Sequence, residues 1–255
     1  MLQEVPRYKL SVTSDCETTQ NQYGGLSPKI MATVEGQQVL VKGQDGNEDE
    51  SFAEFFCYRL ASAIGLNVNK VKLIDCGTLL GLGKICSVHW WEHDFVCFAK
   101  LSKEEKEALT AEEKNPMLFF DDLINNQDRH GYNYGKVNDD IFLIDHGYAR
   151  PWERINGDDL EWLYRSSKKI GCKDVVEKFM SLTEQDFIKM CELNDDLEID
   201  KLYFDYYAGR IIDRMTAVQK HILKMCEEEK VEAERDLASV IVNGVEVDVT
   251  LKEVQ

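Results

Sequence analysis

The spacing of apolar residues divides the chain into a strand-rich first part and a helix-rich second part. Residues 30–34 (Ile-Met-Ala-Thr-Val) and 38–42 (Gln-Val-Leu-Val-Lys) are short apolar runs on either side of Glu35-Gly36-Gln37, which predicts a hairpin. Ahead of them, residues 10–13 could open the sheet, residues 14–22 are a polar connection, and Gly24-Gly25 lies in a loop. Between 51 and 66 the period changes to that of a helix, with Phe52, Phe56, Leu60 and Ala63 or Ile64 on one face and Gly65 closing the end. Residues 71–75 and 85–91 read as two more strands around a glycine-containing turn; the Gly81-x-Gly83 there lacks the strand-to-helix setting of a dinucleotide fingerprint.

From residue 102 the pattern is helical. Residues 102–114 predict a charged helix, and Pro116 opens a central one with Met117, Phe120, Leu123 and Ile124 on its apolar face. Asn125-Asn126-Gln127 are poor helix formers and release the chain into a loop. Two short strand-like runs follow, 134–137 and 141–144, around a turn centred on Asp139. Further helices are predicted over 158–168, 174–181, 184–193 and 201–229, the last with Ile211, Met215, Val218 and Ile222 at helical spacing as a packing face. Residues 227–234 form a solvated acidic stretch, and Asn243-Gly244 between 239–242 and 245–249 predicts a terminal hairpin.

Composition narrows the classes. The 255 residues are 44% hydrophobic, enough for a proper core in one large domain or two lobes sharing a cleft. A net charge of −17 argues against broad contact with a nucleic-acid backbone, and no apolar run approaches membrane-spanning length. The eight cysteines show no Cys-x-x-Cys pair and read as reduced core thiols, which with the absence of an apolar leader at residues 1–10 points to a cytoplasmic protein. Export by a route that reads no cleavable signal is compatible with the same features.

The chemistry concentrates in Asp128-Arg129-His130-Gly131-Tyr132-Asn133 and in Ile144-Asp145-His146-Gly147. A hairpin centred on Asp139 pairs residues whose numbers sum to 278, which sets Asn133 opposite Asp145. With Asp128 beside them, these oxygen donors would suit Mg²⁺ and a substrate hydroxyl, the arrangement that phosphoryl transfer requires. Asp and Asn also collect in turns for backbone reasons alone. Glu54 has two roles open to it: a Ser-x-x-Glu capping box with Ser51, or an ion pair with Lys42 at the end of its strand.

Asp-Arg-His-x-x-Asn followed by Ile-Asp-His-Gly resembles the HipA-like kinases, which share this loop with phosphatidylinositol kinases. Glu-Phe-Phe-Cys-Tyr-Arg-Leu-Ala-x-x-x-Gly-Leu-x-Val resembles the helix of that family that carries a glutamate, and Val39-Leu40-Val41-Lys42 resembles the strand that ends in an ATP-contacting lysine. The resemblance covers about residues 23–149 with distinct motifs. It implies an α+β, two-lobed, protein-kinase-like fold, with residues 1–92 as a β-rich N-lobe and 93–255 as a helical C-lobe. It implies ATP and Mg²⁺ as cofactors and a protein Ser/Thr substrate. Gly24 and Gly25 would cover the phosphates, Lys42 would hold them and Glu54 would orient Lys42. Asp128 would receive the acceptor proton, and Asn133 and Asp145 would bind metal. His130 and Arg129 would touch the γ-phosphate or brace the loop, and the backbone of residues 88–92 would meet adenine. The two tryptophans there read first as core residues. The family's extra N-terminal segment has no counterpart, so a compact stand-alone kinase is expected. The family's self-phosphorylated serine aligns near Gln22, leaving Ser27 as the nearest loop hydroxyl. A lipid or small-molecule kinase and a nucleotide-binding pseudokinase are the alternatives.

Overall fold

The computed structural model describes residues 29–34, 36–43, 49–75, 85–90, 92–193 and 201–242. The Gly24-Gly25 loop, Gln22, Ser27, the strand expected at 10–13, the Gly81-x-Gly83 turn, Trp91 and the residues beyond 242 lie outside them.

Strands β1 (Lys29–Val34) and β2 (Gln37–Lys42) form the expected hairpin, with Gly36 at φ 81°, where an L side chain would be strained. Helix α1 (Asp49–Ile64) follows, ended by Gly65 at φ 86°. After the two-residue β3 (Asn67–Val68) come β4 (Val71–Asp75) and β5 (Ile85–Trp90), completing an antiparallel sheet of order β1-β2-β5-β4. One small apolar cluster, with Ile30, Ala32, Val39, Val41 and Val88, is built on this sheet alone.

Beyond it the chain forms β6 (Val96–Cys97), a 3₁₀ turn over Phe98–Lys100, α2 (Lys103–Ala108) and α3 (Ala111–Leu123). The single helix expected over 102–114 is therefore two. Ser102 and Thr110 each accept the N–H three residues ahead, while Glu105 and Glu113 return a carboxylate to the cap N–H. Two complete capping boxes start two helices. Pro116 sits inside α3 rather than opening it. The hydrogen bond it denies belongs to the carbonyl of Glu112, and Gly171 approaches that carbonyl so closely that a Cβ would press on it.

The next hairpin, β7 (Tyr134–Val137) and β8 (Asp140–Leu143), pairs Tyr134 with Leu143 and Val137 with Asp140. The expected register is thus one residue out. Asn138 and Asp139, at φ 49° and 73°, form a two-residue turn of the left-handed kind that matches strand twist. The second sheet has the order β3-β8-β7-β6, and its parallel β3–β8 pair ties the end of α1 to this hairpin.

The remainder is helical: α4 (Gly157–Ser167), α5 (Lys173–Ser181), α6 (Glu184–Cys191) and α7 (Lys201–Val242). α7 runs through residues 239–242, which were expected to start the terminal hairpin. The Glu- and Lys-rich turns before them are strong helix formers and carry the β-branched run along. Among the described residues, no helix is long and apolar enough to cross a membrane.

The main core binds the two halves together. Phe52, Phe56, Leu60 and Ile64 of α1 are buried with Phe119, Phe120 and Leu123 of α3 and Ile211, Met215 and Val218 of α7. Phe52 meets Phe204 edge-on at 4.9 Å and lies against Trp152 at 6.5 Å. Phe55, Cys57 and Ala61 are buried as well, so the core covers most of the circumference of α1 and leaves only the side carrying Arg59, Ser62 and Ala63 toward solvent. A charged residue on such a helix needs a strong partner, and Glu54 is one.

Candidate active site

β2, an inner strand of the sheet, carries Lys42 at its C-terminal end, and α1 delivers Glu54 beneath it. Lys42 Nζ donates to Glu54 Oε1 at 2.6 Å and to Asp145 Oδ1 at 3.0 Å. The other oxygen of Glu54 accepts the N–H of His146 at 2.8 Å. Three segments distant in sequence thus meet at one buried carboxylate. Glu54 does not cap α1: the helix starts at Asp49, two residues before Ser51, and the buried Ser51 Oγ makes no hydrogen bond.

Burial by itself would strip the proton from Lys42, but Asp145 and Glu54 outweigh it and hold the ammonium above its ordinary pKa. Burial would likewise protonate Glu54, yet Lys42, with His89 and His146 beside it, holds its pKa well below the usual carboxylate range. Asp145 also stays ionised, with Lys42 overcoming burial and the charge of Glu54. His89 behind Glu54 goes the other way: burial, joined by Lys42, pushes it down to about 4 although Glu54 pulls upward. Its Nε2 lies 2.9 Å from Ser87 Oγ and 3.9 Å from Glu54 Oε1.

The loop after α3 is braced from below. Arg129 Nε and Nη2 bond Asp121 at 2.9–3.1 Å, both side chains being buried. Its Nη1 donates to the carbonyls of Asn133 and, at 2.9 Å, of Ile144. Asn126 Nδ2 also donates to Asp121, and its Oδ1 accepts the N–H of Asp128 at 3.1 Å. From α7, the buried Arg214 reaches the carbonyls of Asp122 and Leu123, closing the C-terminus of α3. Arg129 is therefore a brace.

Asp128 and Asn133 are brought together: Asn133 Nδ2 donates to Asp128 Oδ2 at 3.1 Å and to its carbonyl at 2.8 Å, which leaves the amide oxygen as an acceptor. Across the hairpin, Asn133 faces Ile144, whose N–H bonds its carbonyl at 3.1 Å. Asp145 lies one residue further on, at φ 59°, and this left-handed residue carries its carboxylate to Lys42. His130 is half-exposed, with Nε2 3.8 Å from Asp128 Oδ2 and Nδ1 accepting the N–H of Tyr132. Of the segment expected to meet adenine, Trp90 spends its N–H on Lys70 and its carbonyl on Asn69. Its ring packs on the sheet cluster, under Lys70 at 4.6 Å.

Four residues escaped the sequence reading. Lys29 pairs with Lys42 across the β1–β2 ladder and is buried, its pKa lowered by burial and Lys42 against the pull of Asp145 and Glu54. The hairpin register would have found it. Asp121 and Arg214 are charges on otherwise apolar helix faces, which was the available signal. Tyr148 stands between the two halves of the site: burial raises its pKa, and Glu50, Asp128 and Asp145 add to the rise. Beside it, a cavity of about 310 Å³ opens at Asp128, with Gln127 and Arg150 in its wall.

Compared with solved structures, the fold is similar to that of the Helicobacter pylori proinflammatory kinase CtkA, at a TM-score of 0.55 and 14% identity over 82% of this chain and 97% of that one. WaaP in complex with acyl carrier protein gives 0.38 at 14% identity, covering 82% and 89%. The Neurospora crassa PAN3 pseudokinase gives 0.34 at 10% identity, covering 95% and 72%. No curated protein sequence matches the chain. The family model described as HipA-like kinase matches residues 18–189. That span holds the lysine strand, the glutamate helix and the braced loop in one continuous match, and the chain belongs to the HipA-like kinase family.

Proposed function

We propose that the chain transfers the γ-phosphate of ATP to a serine or threonine of a protein, itself included, and that it works in the cytoplasm. The observation that carries this reading is Lys42 held between Glu54 and Asp145 at 2.6 and 3.0 Å. A fixed ammonium of raised pKa beside an ionised carboxylate is what a nucleotide phosphate and its cation need. The division at residues 92 and 93 would put that lysine in one lobe and Asp128 in the other.

The donor set fits the cofactors. Asp145 carboxylate and Asn133 amide oxygens are hard donors suited to Mg²⁺. Among the described residues no three His, Cys, Asp or Glu side chains converge on a cation, so phosphate oxygens and water would complete its shell. Bound there, the ion would neutralise phosphate charge. Lys42 would grip the phosphates, with Lys29 adding a second positive charge from the neighbouring strand. Gly24 and Gly25 would supply backbone N–H groups to the phosphates. Asp128, fixed by Asn133 and Asn126, would accept the hydroxyl proton, and His130 would touch the γ-phosphate from the exposed side. The cavity at Asp128 would admit the acceptor.

The test is transfer of labelled γ-phosphate from ATP·Mg²⁺ to the protein and to a generic Ser/Thr substrate. Asp128→Ala should lower the rate by about 10²–10⁴-fold, and Asp145→Ala should abolish transfer. An undiminished rate in Asp128→Ala would remove the base assignment. A thermal shift with ATP·Mg²⁺ but no transfer to protein or lipid would mark a pseudokinase. Neither shift nor transfer would overturn the nucleotide site.

A further inference from the structure

A second cavity lies away from this site, behind α1. It measures about 570 Å³ and is walled by α1, β4 and α6. That is the size of a ligand pocket rather than a packing defect. Its floor is apolar: Phe55 and Tyr58 from α1, Val71 from β4 and Met190 from α6.

Its rim has the opposite charge to the rest of the molecule. Arg59, Lys70, Lys72 and Lys189 surround it, in a chain of net charge −17. The lone acid of the lining, Asp186, is already committed, because its carboxylate accepts the N–H and hydroxyl of Thr183 in the capping box that starts α6. Arg59 is held in place over the floor: its guanidinium lies 4.0 Å from the Phe55 ring centre, while Nη1 donates to the carbonyls of Lys189 and Glu192. An apolar slot rimmed by cations, with Arg59 pinned over its floor, selects an apolar side chain flanked by carboxylates.

We propose that this groove docks an acidic segment of a partner protein, one that inserts a phenylalanine or leucine between carboxylates. The floor is built on the residue next to Glu54, so an occupant would stiffen the helix that holds Lys42. Docking itself does not depend on the phosphotransfer reading; only its effect on rate does.

A fluorescein-labelled peptide of sequence Glu-Asp-Phe-Glu-Asp-Leu, followed by anisotropy against the full chain, tests this. Saturable binding is expected, weakened at least about tenfold by Lys70→Glu with Lys189→Glu, because two rim charges reverse. Ser62→Trp, at an exposed α1 position in the groove wall, should block binding to a similar extent with an unchanged circular dichroism spectrum. Lack of binding, equal binding of a lysine-for-acid control peptide, or binding unaffected by either variant would overturn the proposal. So would capture by anionic phosphatidylglycerol vesicles but not by the peptide. Where the peptide binds, labelled γ-phosphate transfer should rise on its addition. Binding with no transfer under any condition would leave the docking site standing and count against the kinase reading.

Discussion

His89 offers a quantitative test of the electrostatics behind Glu54. It sits on β5, buried to 3% exposure, facing Glu54 from α1, Lys42 from β2, and Asp145 and His146 from the loop after β8. Burial and the neighbouring Lys42 depress its pKa from 6.5 to about 4, so the folded chain keeps it neutral where the unfolded chain protonates it. Between those values the unfolded state binds more protons, so stability is full above the unfolded pKa and is lost as pH falls through 6.5 toward about 4. Linkage gives a loss of about 2 kcal/mol between about pH 7.5 and about pH 5 from this one side chain. His89→Gln keeps a hydrogen-bonding partner for Ser87 and removes the titration. Urea unfolding of both proteins at the two pH values should show the native chain losing about 2 kcal/mol more than the variant on acidification. His146 and the carboxylates are common to both and drop out. An equal loss in the two proteins would refute the reasoning, as would an NMR titration placing the His89 pKa above its ordinary value.

Asp121→Ala should destabilise the fold by about 3–5 kcal/mol, because it leaves the guanidinium of Arg129 buried without its carboxylate; a urea midpoint within error of the native one would contradict the bracing role. Gly171→Ala should cost at least about 2 kcal/mol, since the residue sits at φ 84° and its Cβ would meet the Glu112 carbonyl, a loss readable in the melting temperature. Asp139→Gly should act in the other direction, raising stability by up to about 1 kcal/mol by relieving a left-handed residue in the β7–β8 turn.

What the sequence determined by itself is whatever depends on neighbours along the chain. The β1–β2 hairpin, the α1 stripe of Phe52, Phe56 and Leu60, the apolar face of α3 and the buried residues of α7 follow from local period and need no knowledge of the fold. Spacing of Asp128, Asn133 and Asp145 pointed to one stretch of chain for the same reason, and the fold sets Asp128 against Asn133 and Asp145 against Lys42. Local rules failed where two local solutions compete. A capping box at Thr110 splits one charged helix into two, and a two-residue turn at Asn138-Asp139 shifts the register by one. In α7, helix momentum overrides a β-branched run at 239–242. Tertiary structure alone decided the rest. Ser51 and Glu54 have the spacing of a cap, yet burial makes the carboxylate so costly that only a cation can hold it, and Lys42 is that cation. The same holds for Arg129 and Arg214, whose partners lie on other elements and become visible only when the core has closed around them. Charges inside a core are assigned by what surrounds them in space, and the order of residues along the chain does not encode that directly.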